Sequence, residues 1–151
     1  MLDRPLTRAD LITFFALPET EDTRPLARVR RALGIPLRGG TTRWPVVWRA
    51  LGLAAEQDPA HHGELTAPLL TARAVADLVG VAGPSIIYRW EKGKVPANTP
   101  PFPASIDISA GREGARAKRW RRAEVLAWHT GRELPRYARA APVFGALTPT
   151  K

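Results

Sequence analysis

The chain has 151 residues, enough for one ordinary domain or two very small ones, and its 44% hydrophobic and 25% charged shares are those of a folded protein. It contains no cysteine, which excludes disulfides and cysteine-based zinc sites, and no apolar run approaches the length of a bilayer span. The net charge of +9 points to a polyanionic partner, and it is uneven: residues 1–69 carry nine Lys/Arg against eight Asp/Glu, residues 70–151 fourteen against six.

Met1-Leu2-Asp3-Arg4-Pro5 has no signal-peptide core. Thr7 followed by Asp10 is a capping pattern, and Leu11, Phe14 and Phe15 fall on one helix face, with Pro18 as the stop. After an acidic loop at 19–22, Thr23 is placed to cap a helix over 24–33, with Pro25 in its first turn. Leu26, Val29 and Leu33 form its inner stripe, and Arg24, Arg28 and Arg31 form the opposite one. Gly34 ends it. Residues 37–43, including Arg38, read as a tight hairpin turning at Gly39-Gly40. Trp44 to Gly52 reads as a third short helix. Asp58-Pro59, His61-His62-Gly63 and Pro68 break any periodicity, so a linker is expected at 54–66 between a first unit at 1–53 and a second at 67–131.

The second unit repeats the order of the first. Leu70-Thr71 matches Leu6-Thr7, Val75 matches Leu11, and Arg119-Trp120 matches Arg43-Trp44, with roughly a dozen extra residues before the hairpin. Gly80 ends its first helix and Gly83-Pro84 starts the next. Ile87 and Trp90 then face the core, while Ser85, Arg89 and Lys92 face outward together. Residues 95–104 are too rich in proline for a central strand. Ile106 and Ile108 alternate with Asp107 and Ser109 as on a half-buried strand, 110–114 turn, and 116–120 return. A last helix follows, ending near Trp128. Residues 132–151 read as a basic flexible tail in which Tyr137, Val143 and Phe144 are the bulky groups able to dock.

Helix, turn, basic helix, hairpin and helix is the order of a winged helix-turn-helix. The fold class expected is therefore mostly α with small β-hairpin wings, as two such units in tandem. An α-helix fits the major groove, and arginine can pair with guanine O6 and N7 through two hydrogen bonds. Arg89 is the candidate for that contact, with Ser85, Tyr88, Lys92 and Lys94 on phosphates or base edges. Arg112, Arg116, Lys118 and Arg121 form the candidate wing set, since a basic hairpin tip suits the negative minor groove. Arg24, Arg28, Arg31 and Arg38 are the equivalent set in the first unit, where contact with a protein is the rival role. The plainer reading of each set is solvated charge.

The five Trp residues are expected mostly in cores rather than as base-stacking platforms, because their spacing follows the inner stripes. His61, His62 and His129 do not make a metal site: adjacent histidines point apart and no acidic cluster completes a shell. No Ser–His–Asp set, phosphate-cradling Gly loop or acid pair is present, so neither enzymatic activity nor a cofactor or metal is expected.

Leu70-Thr71, Gly80-Val81, Tyr88-Arg89-Trp90 with Gly93-Lys94, Pro96, Arg119-Trp120-Arg121-Arg122, and Glu124-Val125 with Trp128 carry a resemblance. Over about 60 residues the second unit resembles the AlpA and phage-excisionase group of MerR-like winged-helix proteins. The turn at 81–84 is one residue longer than usual for that group, and the wing region at 95–117 is also longer. The resemblance implies sequence-specific binding of double-stranded DNA, as an excisionase, that is, a recombination directionality factor of a phage or integrative element. Such a protein bends DNA and assists a site-specific integrase, with self-association along the DNA, in the cytoplasm of a bacterial host and on its nucleoid. An AlpA-like transcription regulator needs the same surface. The small subunit of a phage terminase uses a related winged helix, usually with a long oligomerisation helix that is not found here.

Overall fold

The computed structural model of the chain describes residues 2–140. Among them are seven α-helices and one two-stranded antiparallel sheet, so the chain is mostly helical with a small hairpin. No described helix is long and apolar enough to cross a membrane.

Thr7 opens α1 (Arg8–Phe14) with a reciprocal cap: its hydroxyl accepts the Asp10 N–H at 3.2 Å, and the Asp10 carboxylate accepts the Thr7 N–H at 2.8 Å. α2 (Arg24–Leu33) covers the span read from the sequence and stops at Gly34, whose φ of 73° is left-handed. Its cap differs from expectation. Thr23 lies in the helical region, where its hydroxyl makes no capping bond, and the Asp22 carboxylate accepts the Arg24 N–H at 3.0 Å instead. Gly39 and Gly40 have φ of 61° and 82° and close the tight turn between Arg38 and Thr41. α3 (Trp44–Ala50) follows.

The second unit has α5 (Ala72–Val79), capped by the Thr71 hydroxyl, then α6 (Pro84–Glu91), β1 (Ile106–Asp107), β2 (Lys118–Arg119) and α7 (Arg122–His129). Ile106 pairs with Arg119 and Asp107 with Lys118. The strands are shorter than the sequence suggests, because a 3-10 turn at Gly114–Ala117 takes up the return leg.

Repetition shows in the backbone. Leu6 bridges Thr42 in the first unit, and Leu70 bridges Trp120 in the second. Thr42 is therefore the counterpart of Trp120, which moves the match two residues from the Arg43–Arg119 pairing read from the sequence. Arg43 and Arg121 are the residues that each precede the last helix of a unit.

Two expectations about organisation are corrected. The segment at 54–66 is not an open linker: it holds a 3-10 turn at Pro59–His61 and α4 (His62–Thr66). Leu65 is buried in the first core, and its carbonyl accepts the Trp48 indole N–H at 3.1 Å. The beginning of the expected tail is docked as well. Tyr137 is buried, its hydroxyl donates to Glu64 at 2.7 Å, and Arg139 bridges Leu53. Val143 and Phe144 lie outside the described residues.

Two apolar clusters form the interior. One gathers Phe14, Phe15, Leu26, Trp44 and Trp48 of the first unit, and Ile108 and Ala117 of the hairpin pack into it. The other gathers Val75, Ile87, Phe102, Trp120, Val125 and Trp128. Four of the five Trp are buried and Trp90 is half-buried against the second cluster. The hairpin thus belongs by sequence to the second unit and by packing partly to the first.

Candidate nucleic-acid interface

α5 and α6 are joined by a short turn, and α6 projects its polar side away from the core. Proline at its first position needs no N–H partner, and Ile87 is fully buried, which fixes the helix rotation. Ser85, Arg89 and Lys92, at spacings of four and three, are all exposed, as is Lys94 beyond the helix end. None of Arg89, Lys92 and Lys94 has a carboxylate within ion-pair distance among the described residues. Tyr88 is different: its ring packs near Trp120 and its hydroxyl donates to the Ala115 carbonyl at 3.2 Å. It positions the loop more than it offers a free hydroxyl.

The loop between the strands is built locally. The Asp107 carboxylate accepts from the Ser109 N–H, the Ser109 hydroxyl and the Gly111 N–H, at 2.7 to 3.0 Å. Ser109 Oγ in turn accepts the Glu113 N–H at 3.0 Å. Burial pushes the Asp107 carboxyl up, but these bonds together with Lys118 outweigh it and hold it below the ordinary range. Ser109 is therefore buried rather than solvent-facing as simple alternation would have it.

The four residues of the wing set part company. Arg112 and Arg116 are exposed and unpaired among the described residues. Lys118 is half-buried and pairs with Glu91 at 2.7 Å. Burial pushes the Glu91 carboxyl up, yet the bonds from Lys118 and Ser105 prevail and hold it low. Lys118 is thus committed to holding α6 on the hairpin. Arg121 is a correction: only 7% of it is exposed, with Glu124 at 3.8 Å and the Tyr137 ring 5.5 Å below its guanidinium. Burial pushes its pKa down and that of Glu124 up. A side chain so covered is not on a DNA-facing wing.

In the first unit, Arg28 and Arg31 reach the same loop. Arg28 pairs with Glu113 at 3.4 Å, and both arginines line a crevice shared with Arg112 and Arg116. Arg24 and Arg38 are exposed but not in that crevice. Arg24 makes two bonds to Asp22, at 2.9 and 3.0 Å, and that partner lowers the Asp22 pKa to about 2.

Arg119 is the residue whose part was not visible beforehand. It is 6% exposed, and its guanidinium donates to the Phe15 carbonyl at 2.8 Å, the Arg116 carbonyl at 2.9 Å and the Lys118 carbonyl at 3.1 Å. Burial pushes its pKa down, although no carboxylate touches it. Strand alternation carries the signal: if Trp120 faces its own core, Arg119 and Arg121 face the other way. That other side is covered by the first unit and by residues 132–140.

No protein-family model, curated protein or solved structure matches this chain.

Proposed function

We propose that this protein binds double-stranded DNA with sequence preference and without catalysis, as two winged helix-turn-helix units in tandem. The observation that carries the reading is the side of α6 bearing Ser85, Arg89 and Lys92: it is exposed and cationic, neither cation is paired with a carboxylate among the described residues, and it lies on the second helix of the α5–turn–α6 pair. A recognition helix needs such a face, since guanidinium and ammonium groups must reach base edges and phosphates without first leaving a carboxylate. The wing contribution is reduced to Arg112 and Arg116.

By the resemblance of the second unit, the role proposed is that of an excisionase, bending the DNA of a phage or integrative element and assisting an integrase in the bacterial cytoplasm. Gel shifts with attachment-site DNA neighbouring the gene, against random duplex of equal length, test it. Preference for the attachment site of tenfold or more at matched salt is expected, since specific and non-specific binding differ by about 10³ or more in established readers. Equal affinity for both would reduce the protein to a general polycation.

A further inference from the structure

The crevice between α2 and the hairpin loop concentrates charge in an unusual way. Arg28 and Arg31 line it from α2, Arg112 and Arg116 from the loop, and buried Arg119 forms part of its lining. Glu113 is the single carboxylate in its lining. The space is about 80 Å³, room for several water molecules and hence for one tetrahedral oxyanion. Five arginines and one glutamate line it, Arg28 alone pairs with that glutamate, and the buried Arg119 guanidinium bonds to carbonyl oxygens.

We propose that this crevice is a binding site for one phosphate group, gripped from α2 by Arg28 and Arg31 and from the loop by Arg112 and Arg116. Guanidinium forks match phosphate oxygens in pairs, and two opposed pairs fix the group from both sides. Glu113 holds Arg28 at 3.4 Å and is the internal competitor, which swings out when the phosphate arrives. Its backbone stays in place, because its N–H is held by Ser109. The phosphate comes from the DNA backbone or from a small phosphorylated molecule; the duplex source rests on the function proposed above. If the backbone supplies it, the two units grip one continuous duplex and do not read independently spaced half-sites.

The test is a titration of the full chain, followed through the arginine Nε–H signals, with inorganic phosphate, a random-sequence duplex, and chloride at equal ionic strength. Saturable shifts at Arg28, Arg31, Arg112 and Arg116 with phosphate or duplex, and not with chloride, are expected. Arg31→Gln with Arg112→Gln, both exposed and unpaired among the described residues, is expected to weaken that binding roughly tenfold or more. Glu113→Gln is expected to tighten it several-fold. Saturation by phosphate alone assigns the site to a small phosphorylated molecule, and saturation by duplex alone assigns it to the DNA backbone. Either supports the site. Shifts that follow ionic strength alone, in chloride as in phosphate, overturn it. Arg89→Ala separates the two proposals: it leaves the phosphate titration unchanged even if DNA recognition by α6 fails. Loss of duplex binding in Arg89→Ala, with no saturable shift in the crevice of the parent chain, removes the site and leaves the α6 reading standing.

Discussion

Arg119 donates its Nε–H to the carbonyl of Phe15 at 2.8 Å, across 104 residues of chain. Phe15 caps the C-terminal end of α1, so this bond ties the hairpin of one unit to the first helix of the other. Arg119→Met keeps the aliphatic stem and removes the guanidinium, leaving the buried carbonyl of Phe15 and the partly buried carbonyls of Arg116 and Lys118 without that donor. Relief from burying a cation offsets part of the loss. The expected net cost is about 1–3 kcal/mol, read as a lower urea midpoint. An unchanged midpoint would mean that the joint does not depend on Arg119.

Arg89 and Arg121 are both arginines of the resembling motif, but the structure gives them opposite surroundings. Arg89→Ala is expected to weaken specific duplex binding by about 1–3 kcal/mol and to leave the thermal midpoint nearly unchanged. Arg121→Ala is expected to do the reverse, because it strips half-buried Glu124 of its ion-pair partner and Tyr137 of its stacked guanidinium. Anisotropy titrations and thermal melts on both variants decide the matter. A large affinity loss in Arg121→Ala at full stability would return that residue to the wing.

The sign of the pH dependence follows from Glu91. Its carboxyl lies below the ordinary 4.5 in the folded chain, held there by Lys118 and Ser105 against the effect of burial. A carboxyl lowered on folding adds stability that is complete above its unfolded value and is lost as pH falls through the folded one. Stability should therefore be level down to about pH 5 and decline below it, with Asp107 adding to the slope. Glu91→Gln should be less stable than the parent at pH 6, and the difference should shrink toward pH 3. A gap in urea midpoint that stays constant over that range would show that the Glu91–Lys118 pair does not titrate with folding.

Much of the local structure was legible. The Thr7–Asp10 and Thr71 caps, the Gly34 and Gly80 stops and the Gly39-Gly40 turn each depend on residues within a few positions of one another. The outward side of α6 was legible for the same reason, since Ile87 fixes the rotation and Arg89 lies two positions on. What escaped depends on contacts distant in sequence. Arg119 and Arg121 alternate with Trp120 toward a side that is solvent in an isolated unit and is covered here by the first unit and residues 132–140. Leu65 lies in a segment without periodicity, and only the Trp48 indole and the first core explain its burial. Arg28 and Arg31 belong by sequence to a separate set in the first unit, for DNA or for protein; the loop carrying Glu113 brings them beside Arg112 and Arg116.

If Arg112 and Arg116 touch phosphates, their loss acts on every sequence alike. Arg112→Ala with Arg116→Ala is expected to lower affinity for specific and random duplex by the same factor. The slope of log affinity against log salt should fall by about 0.9 for each phosphate contact removed, so by roughly 2 for both. Affinity unchanged at low salt would take the loop out of the DNA footprint.

Residues 137–140 return to the first unit, and Gln57 is one of their anchors. Gln57 Nε2 donates to the carbonyls of Ala54 at 2.9 Å and Ala138 at 2.7 Å, while its Oε1 accepts the Ala138 N–H at 3.1 Å. Ala54 N–H donates to the Ala138 carbonyl at 2.9 Å, and Ala140 N–H to the Gly52 carbonyl at 3.1 Å, completing a strap along residues 52–57. Gln57 is itself 8% exposed, so Gln57→Ala leaves the partly buried Ala138 N–H without its side-chain acceptor and removes the donor shared by the Ala54 and Ala138 carbonyls. The expected result is a cost of about 1–3 kcal/mol, with faster hydrogen exchange at Ala54, Ala138 and Ala140 and no change at Val75 or Val125 in the second core. Tyr137→Phe, which removes only the bond to Glu64, should produce a smaller version of the same pattern. Uniform acceleration across both cores would mean that the strap is part of one global unfolding unit and not a separately releasable element.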